Sequence, residues 1–210
     1  MASIAADEHG VTLDGFDFTF HAGRLCADLC RRLEELQHVD MDRVAIRYCQ
    51  VRKAVSHGMQ ASLTPLRFER GELFTMRAGR RWTIQRVYGP VGQEMLYLLS
   101  FYLPRFLNQS FHEKLATVIH ELWHISPEFN GDIRRLPGRC YAHGQSEEHY
   151  HASMHELARR WLALGPPEEV FDFLRLDFGD LRSRHGAIYG VRLPTPRLIP
   201  VENGHHPGLH

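Results

Sequence analysis

Apolar and polar positions alternate along this chain with two different periods. Leu25, Leu29, Leu33 and Leu36 recur at helical spacing, with Arg31, Arg32, Glu34 and Glu35 on the wet side, and predict an amphipathic helix over 21–37. Residues 1–17 read as a loosely packed N-terminal extension that Phe16, Phe18 and Phe20 anchor at its end. Asp40 and Asp42 mark a turn, and 43–51, rich in β-branched and aromatic residues, predicts a strand. A second run over 61–69 passes through Leu63, Leu66 and Phe68, with Pro65 pointing to an edge or a bulge. Gly71 and Gly79 bracket a hairpin-like piece, and 82–88 alternates as a further strand. Residues 94–103 are apolar nearly throughout. Periodicity leaves strand or short helix open there, and the aromatics with the closing Pro104 favour strand.

The second half reads as helical. Ser110 and Glu113 form a capping box, and Leu115, Val118, Ile119 and Leu122 form an apolar stripe, so the pattern predicts a helix over 111–125 that Pro127 stops. Residues 127–145 are a long Gly-, Pro- and Arg-rich loop with turns at 130–132 and 137–138, and loops of that length are usually functional. A helix over 146–164, capped by Ser146, carries Leu157, Trp161 and Leu164 on its apolar side. Gly165, Pro166 and Pro167 break the chain before a short helix over 168–176. Pro194, Pro196, Pro200 and Pro207 mark residues 191–210 as an extended, Pro- and His-rich tail. The order of elements predicts an α+β fold, with a mixed or antiparallel sheet of three or four strands. That sheet packs against the N-terminal helix and the helix at 111–125, with further helices C-terminal, in one domain over 18–190.

Composition narrows the partners. At 210 residues the chain is one domain that buries a core without staples. The 25 basic and 25 acidic residues cancel, which argues against bulk nucleic acid or an anionic membrane as partner. Four Cys are present (Cys26, Cys30, Cys49 and Cys140) with no Cys-x-x-Cys pair, so neither a zinc ribbon nor a thioredoxin-type site is expected. Cys26 and Cys30 read as small buried residues of a helix. The first residues lack the basic and apolar regions of a signal peptide, and no apolar run reaches the length of a membrane span. A cytoplasmic location is the expectation.

The chemistry lies in the helix at 111–125, which contains His120-Glu121-Leu122-Trp123-His124. This His-Glu-x-x-His pattern is the zinc-peptidase signature. Two His at i and i+4 lie one above the other on a helix and hold one metal together. Glu121, about 100° round the helix, reaches a water held there without being a ligand. With 15 His in the chain the pattern carries limited weight alone, and the cap, stripe and proline stop around it carry more. A catalytic zinc takes three protein ligands and a water. The candidates for the third are His143, Glu147, Glu148, His149, His151 and His155, with Glu128 too close after Pro127 to reach easily. His143 is favoured, because Gly144 after it lets the backbone approach the site. Arg139, Tyr141, His149 and Tyr150 are the candidate oxyanion donors. The run 94–103 is the candidate strand beside the cleft, to which an extended peptide adds by backbone pairing.

The string His120-Glu-Leu-Trp-His124, a spacer, and then His143-Gly144 resembles the SprT-like (Spartan-type) zinc metalloproteases. The fuller string over 118–127, with Gly131 and Gly138-Arg-Cys-Tyr-Ala-His143, looks closer still to the zinc metallopeptidases of phage and bacterial genomes. The resemblance covers 40–165 in element order and is specific over 110–145. It implies a small zincin-like fold, zinc held by His120, His124 and His143, Glu121 as general base, and a protein or peptide substrate. The chain departs from the Spartan-type proteases in having no zinc ribbon and no lysine-rich tail, so DNA–protein crosslink repair is not implied. The expected activity is zinc-dependent peptide hydrolysis. The alternatives are a zincin-fold module that binds metal or protein without hydrolysis, and a structural or DNA-associated domain without metal.

Overall fold

The computed structural model describes residues 15–51, 58–135 and 147–201, without the side chains of 147–150. Within these residues the fold is α+β, with three small sheets and four α-helices. Strand β1 (Phe16–Asp17) runs directly into helix α1 (Phe18–Arg32), because the Asp17 carboxylate accepts from the Phe20 N–H at 3.0 Å and caps the helix. The helix predicted over 21–37 therefore starts three residues earlier. It also stops earlier: Leu33 is extended (φ −91°, ψ 116°), and Glu34–Leu36 form a separate 3₁₀ turn. Phe16 and Phe18 are core residues, as their anchoring role requires, whereas Phe20 is half exposed.

The main sheet has the order β2-β6-β3, from β2 (Val44–Gln50), β3 (Ala61–Pro65) and β6 (Tyr97–Leu103). β2 lies parallel to β6, and β3 antiparallel to it. β6 is central because its apolar run is buried on both faces, which resolves the strand-or-helix ambiguity over 94–103 in favour of strand. Its interior Ser100 accepts from Arg47 Nε at 2.8 Å. β3 is one of the two edges, which is where Pro65 fits. A second sheet, β4-β5-β8, joins β4 (Phe74–Arg77), β5 (Arg80–Ile84) and β8 (Leu198–Val201). Ala78 (φ 48°) and Gly79 (φ 72°) make the two-residue hairpin between β4 and β5, in the left-handed region that matches strand twist. β5 ends at Ile84, short of the strand predicted over 82–88.

Helix α2 (Phe111–Trp123) carries the signature, and α3 (Glu147–Ala163) packs against it. The predicted Ser146 cap lies outside the described residues. The buried face of α2, Leu115, Val118, Ile119 and Leu122, joins Leu25 and Leu29 of α1 and Leu157 and Trp161 of α3 in one core. The helix predicted over 168–176 is two 3₁₀ turns, Glu168–Val170 and Asp172–Arg175, separated at Phe171 (φ −134°). A helix the pattern did not predict follows: α4 (Phe178–His185), capped by Asp177, whose carboxylate accepts from the Asp180 N–H at 2.8 Å. β7 (Ile188–Tyr189) then pairs with β1.

Residues 191–201, expected as a tail, run back across the fold. Tyr48 N–H donates to the Val191 carbonyl at 2.8 Å, Arg47 donates to the Leu193 carbonyl at 2.9 Å, and β8 pairs with β5. Proline lacks an N–H but is tolerated on a sheet edge, and Pro200 sits opposite Trp82 there. No helix of the described residues is long and apolar enough to cross a membrane.

Asp28 of α1 is a buried carboxylate between α1 and α3. It accepts from Arg32 Nε at 2.7 Å and from Trp161 Nε1 at 3.0 Å, and Arg31 also donates to it. This ties α1 to α3. Asp28→Ala leaves the buried indole N–H without its acceptor and removes the acceptor of the Arg32 Nε, and is expected to cost about 2 kcal/mol in urea denaturation, while Asp28→Asn, which keeps an acceptor, costs less.

Candidate functional site

Three faces of α2 divide the work. The first is the apolar stripe in the core. The second is a polar stripe of Glu113, Thr117, His120 and His124, spaced at i, i+4, i+7 and i+11. The third carries Lys114 and Glu121, both buried. Burial pushes the Lys114 ammonium down to about 8, and its Nζ donates to the Leu174 and Leu176 carbonyls at 2.9 and 2.7 Å. That bond pair holds α2 in a fixed rotation against the segment before α4.

His120 and His124 face each other with their Nε2 atoms 2.9 Å apart and ring centroids 4.6 Å apart. Two imidazoles on one tetrahedral zinc, each about 2.0–2.1 Å from it, have nitrogens about 3.3 Å apart. The pair therefore fits a shared metal with a displacement of a few tenths of an ångström. His124 is the C-cap of α2 (φ −67°, ψ −14°), where helix ends fray unless their carbonyls find donors. Arg134 supplies them. Its Nε donates to the Trp123 carbonyl at 2.7 Å, its backbone N–H to the His124 carbonyl at 2.7 Å, and its guanidinium lies 4.3 Å from the Trp123 ring centroid. The turn that carries Arg134 is pinned to the sheet by the buried Tyr97, whose hydroxyl donates to the Asp132 carbonyl at 2.9 Å and accepts from the Gly131 N–H at 3.0 Å. Gly131 is required there: its φ is 89°, and a Cβ would lie 2.5 Å from Arg67 Cγ.

Glu121 is 9% exposed and turns toward the sheet, where its Oε2 accepts from the Leu63 N–H at 2.8 Å. Tyr102 N–H to Gln60 O and Leu66 N–H to Leu96 O put the even-numbered backbone groups of β3 against β6. The odd-numbered groups, Leu63 among them, face outward at the free edge. Burial raises the Glu121 carboxyl to about 7, with the Leu63 N–H acting in the opposite direction. A cavity of about 370 Å³ lies between this edge and the helices, bounded by Gln60 and Ala61, by Thr117, His120 and Glu121, and by His151 and Met154. A larger cavity of about 750 Å³, lined by Phe20, Ile46, Val87 and Met95, is apolar and touches none of the candidate ligands.

The site predicted from sequence thus comes together in part. His120 and Glu121 line the cleft, and His124 meets the His120 ring from the end of α2. His151 lines it from α3, and His155 lies one turn further along α3. His143 and the candidate oxyanion donors Arg139 and Tyr141 lie outside the described residues. Glu147, Glu148, His149 and Tyr150 are on α3, with side chains outside the described set. Glu128 is turned away to Ser126, whose hydroxyl donates to it. The strand beside the cleft is β3, not the run over 94–103: β6 has a neighbour on both sides and no edge to offer. The sequence reading also missed Leu63, Tyr97 and Arg134. A tyrosine inside an otherwise apolar run is a readable sign for Tyr97; Leu63 acts through its backbone N–H and Arg134 across a turn, and neither leaves a local pattern.

The raised Glu121 carboxyl sets a pH dependence. In the metal-free protein the folded state keeps this proton between pH about 4.5 and about 7 while the unfolded chain has lost it. The stability contributed by this group therefore falls as pH rises through that window. Glu121→Gln removes the effect, so its stability relative to the parent is expected to improve from pH 4.5 to pH 8 by up to about 3 kcal/mol, read by urea denaturation after chelation; an unchanged difference contradicts the burial of a titrating carboxyl. No protein-family model, curated protein or solved structure matches this chain, so the reading of the site rests on its own geometry.

Proposed function

We propose that this chain is a zinc-dependent metallopeptidase of the SprT-like, zincin class. The observation that carries the reading is that Glu121 and His120 line one cavity, with His124 against His120 and the Glu121 carboxyl, raised to about 7 by burial, accepting from Leu63 at the edge of β3. His120 and His124 would hold the zinc, with His143 as the proposed third ligand. The bound ion supplies Lewis acidity, polarising a scissile carbonyl and acidifying a water at the site.

The chain's own groups do the rest. Glu121 takes the proton from the attacking water and passes it to the leaving amine, a role suited to a carboxyl that titrates near the working pH. The outward backbone groups of Ala61 and the carbonyl of Leu63, whose N–H is taken by Glu121, offer an extended peptide a strand to pair with, which places its carbonyl over the cleft. The low exposure of Glu121 excludes bulk water from the proton transfer and strengthens each polar contact there.

Glu121→Gln keeps the shape and the acceptor for Leu63 but cannot take a proton. It is expected to retain zinc while losing at least about 100-fold in cleavage of a casein-type substrate. Full activity in this variant overturns the role of Glu121, and zinc-loaded wild-type protein that cleaves nothing favours a binding module.

A further inference from the structure

Among the described residues, one cluster outside the His120–His124 pair has the chemistry of a metal site. Glu113 of α2 faces His151 and His155 of α3, and their three donor atoms lie within 4.8 Å of one another. His155 Nε2 is 3.2 Å from one Glu113 carboxylate oxygen, and His151 Nε2 is 3.9 Å from the other. The histidines stand at i and i+4, with ring centroids 5.0 Å apart, so both point off one face of α3. Glu113 sits in the first turn of α2, where a capping-box glutamate turns back to its own helix start; here the carboxylate is turned to the neighbouring helix instead.

We propose that Glu113, His151 and His155 form a second divalent-metal site, distinct from the His120–His124 pair. Two imidazoles and one carboxylate are a recurrent ligand set for zinc and related first-row ions. Ligands about 2.0–2.2 Å from one ion are about 3.3 Å apart, close to the two distances found, and rotation of the partly exposed His151 closes the remainder.

The two sites are not one bridged centre. Glu113 and His120 are seven residues apart on one straight helix, about 10 Å along its axis, whereas bridged metal pairs lie about 3.5–4 Å apart. The second ion instead staples α2 to α3 at the mouth of the cleft, since Glu113 and His151 line the same cavity as His120 and Glu121. It fixes the width of that mouth. The partly exposed ligands let the ion exchange without opening the fold.

The test is zinc stoichiometry by equilibrium dialysis of the full chain, in a background where His205, His206 and His210 are alanine so that tail histidines do not contribute. Cobalt(II) absorption is the second readout, and circular dichroism checks folding. The parent background is expected to bind roughly two equivalents, and His155→Ala and Glu113→Gln are each expected to remove one. His120→Ala should remove the other and leave the cobalt spectrum of the α2–α3 site in place. Loss of one equivalent in His155→Ala with none lost in His120→Ala supports this site and sinks the reading of the first. A single equivalent, abolished by His120→Ala and untouched by His155→Ala and Glu113→Gln, overturns the second site and leaves the peptidase reading standing. Loss of all metal in His155→Ala also overturns it, because His155 then belongs to a single shared centre.

Discussion

A helix packed on several sides at once must find a partner for every polar group it carries, and α2 is such a helix. Leaving a buried donor or acceptor unpaired costs about 1–3 kcal/mol, and more for a charge. α2 meets the constraint in four directions. Lys114 donates to two carbonyls of the segment before α4, Glu121 accepts from the edge of β3, Glu113 faces two histidines of α3, and His120 and His124 face each other. The Glu121–Leu63 bond is the contact on which the candidate site depends most, because it joins the proposed base to the proposed substrate strand. With the two Lys114 bonds, it fixes the rotation of α2 that turns His120 into the cleft.

The surrounding structure holds this arrangement rigid from a distance. Asp28 binds α1 to α3 through Trp161, and α3 closes one side of the cleft. Tyr97 reaches from the central strand to the turn at 131–132, and that turn brings Arg134 to the end of α2. His124, the second of the two proposed ligands, would otherwise sit on a fraying helix end. The proposed metal site needs its ligands fixed to within a few tenths of an ångström, and the contacts that run from Tyr97 of β6 through the turn to Arg134 are a physical means of fixing them.

The local parts of this picture were legible in the sequence, and the long-range parts were not. The Ser110 cap, the stripe from Leu115 to Leu122 and the i, i+4 spacing of His120 and His124 are all contained within one helix. Strands β2 and β6 showed through their composition. Leu63 and Glu121 are 58 residues apart, and nothing in either local pattern announces their hydrogen bond. Pro200 and its neighbours read as a tail because proline signals a missing donor, yet an edge strand tolerates that loss. Asp177 and Asp180 are a readable cap for α4, but the short helix expected over 168–176 ends directly before it and hides the second start. Glu113 was read as half of a capping box, and only the packing of α3 on α2 turns its carboxylate to His151 and His155.

The central claim is that α2 holds a zinc through His120 and His124 beside a base that does not ligate it. A crystal structure of the zinc-loaded chain, with zinc located by its anomalous scattering, tests this most directly. The account predicts zinc about 2.0–2.1 Å from the Nε2 atoms of both histidines, a third protein ligand, and the Glu121 carboxylate outside the coordination sphere. Zinc absent from His120 and His124, or coordinated by Glu121 itself, would contradict it.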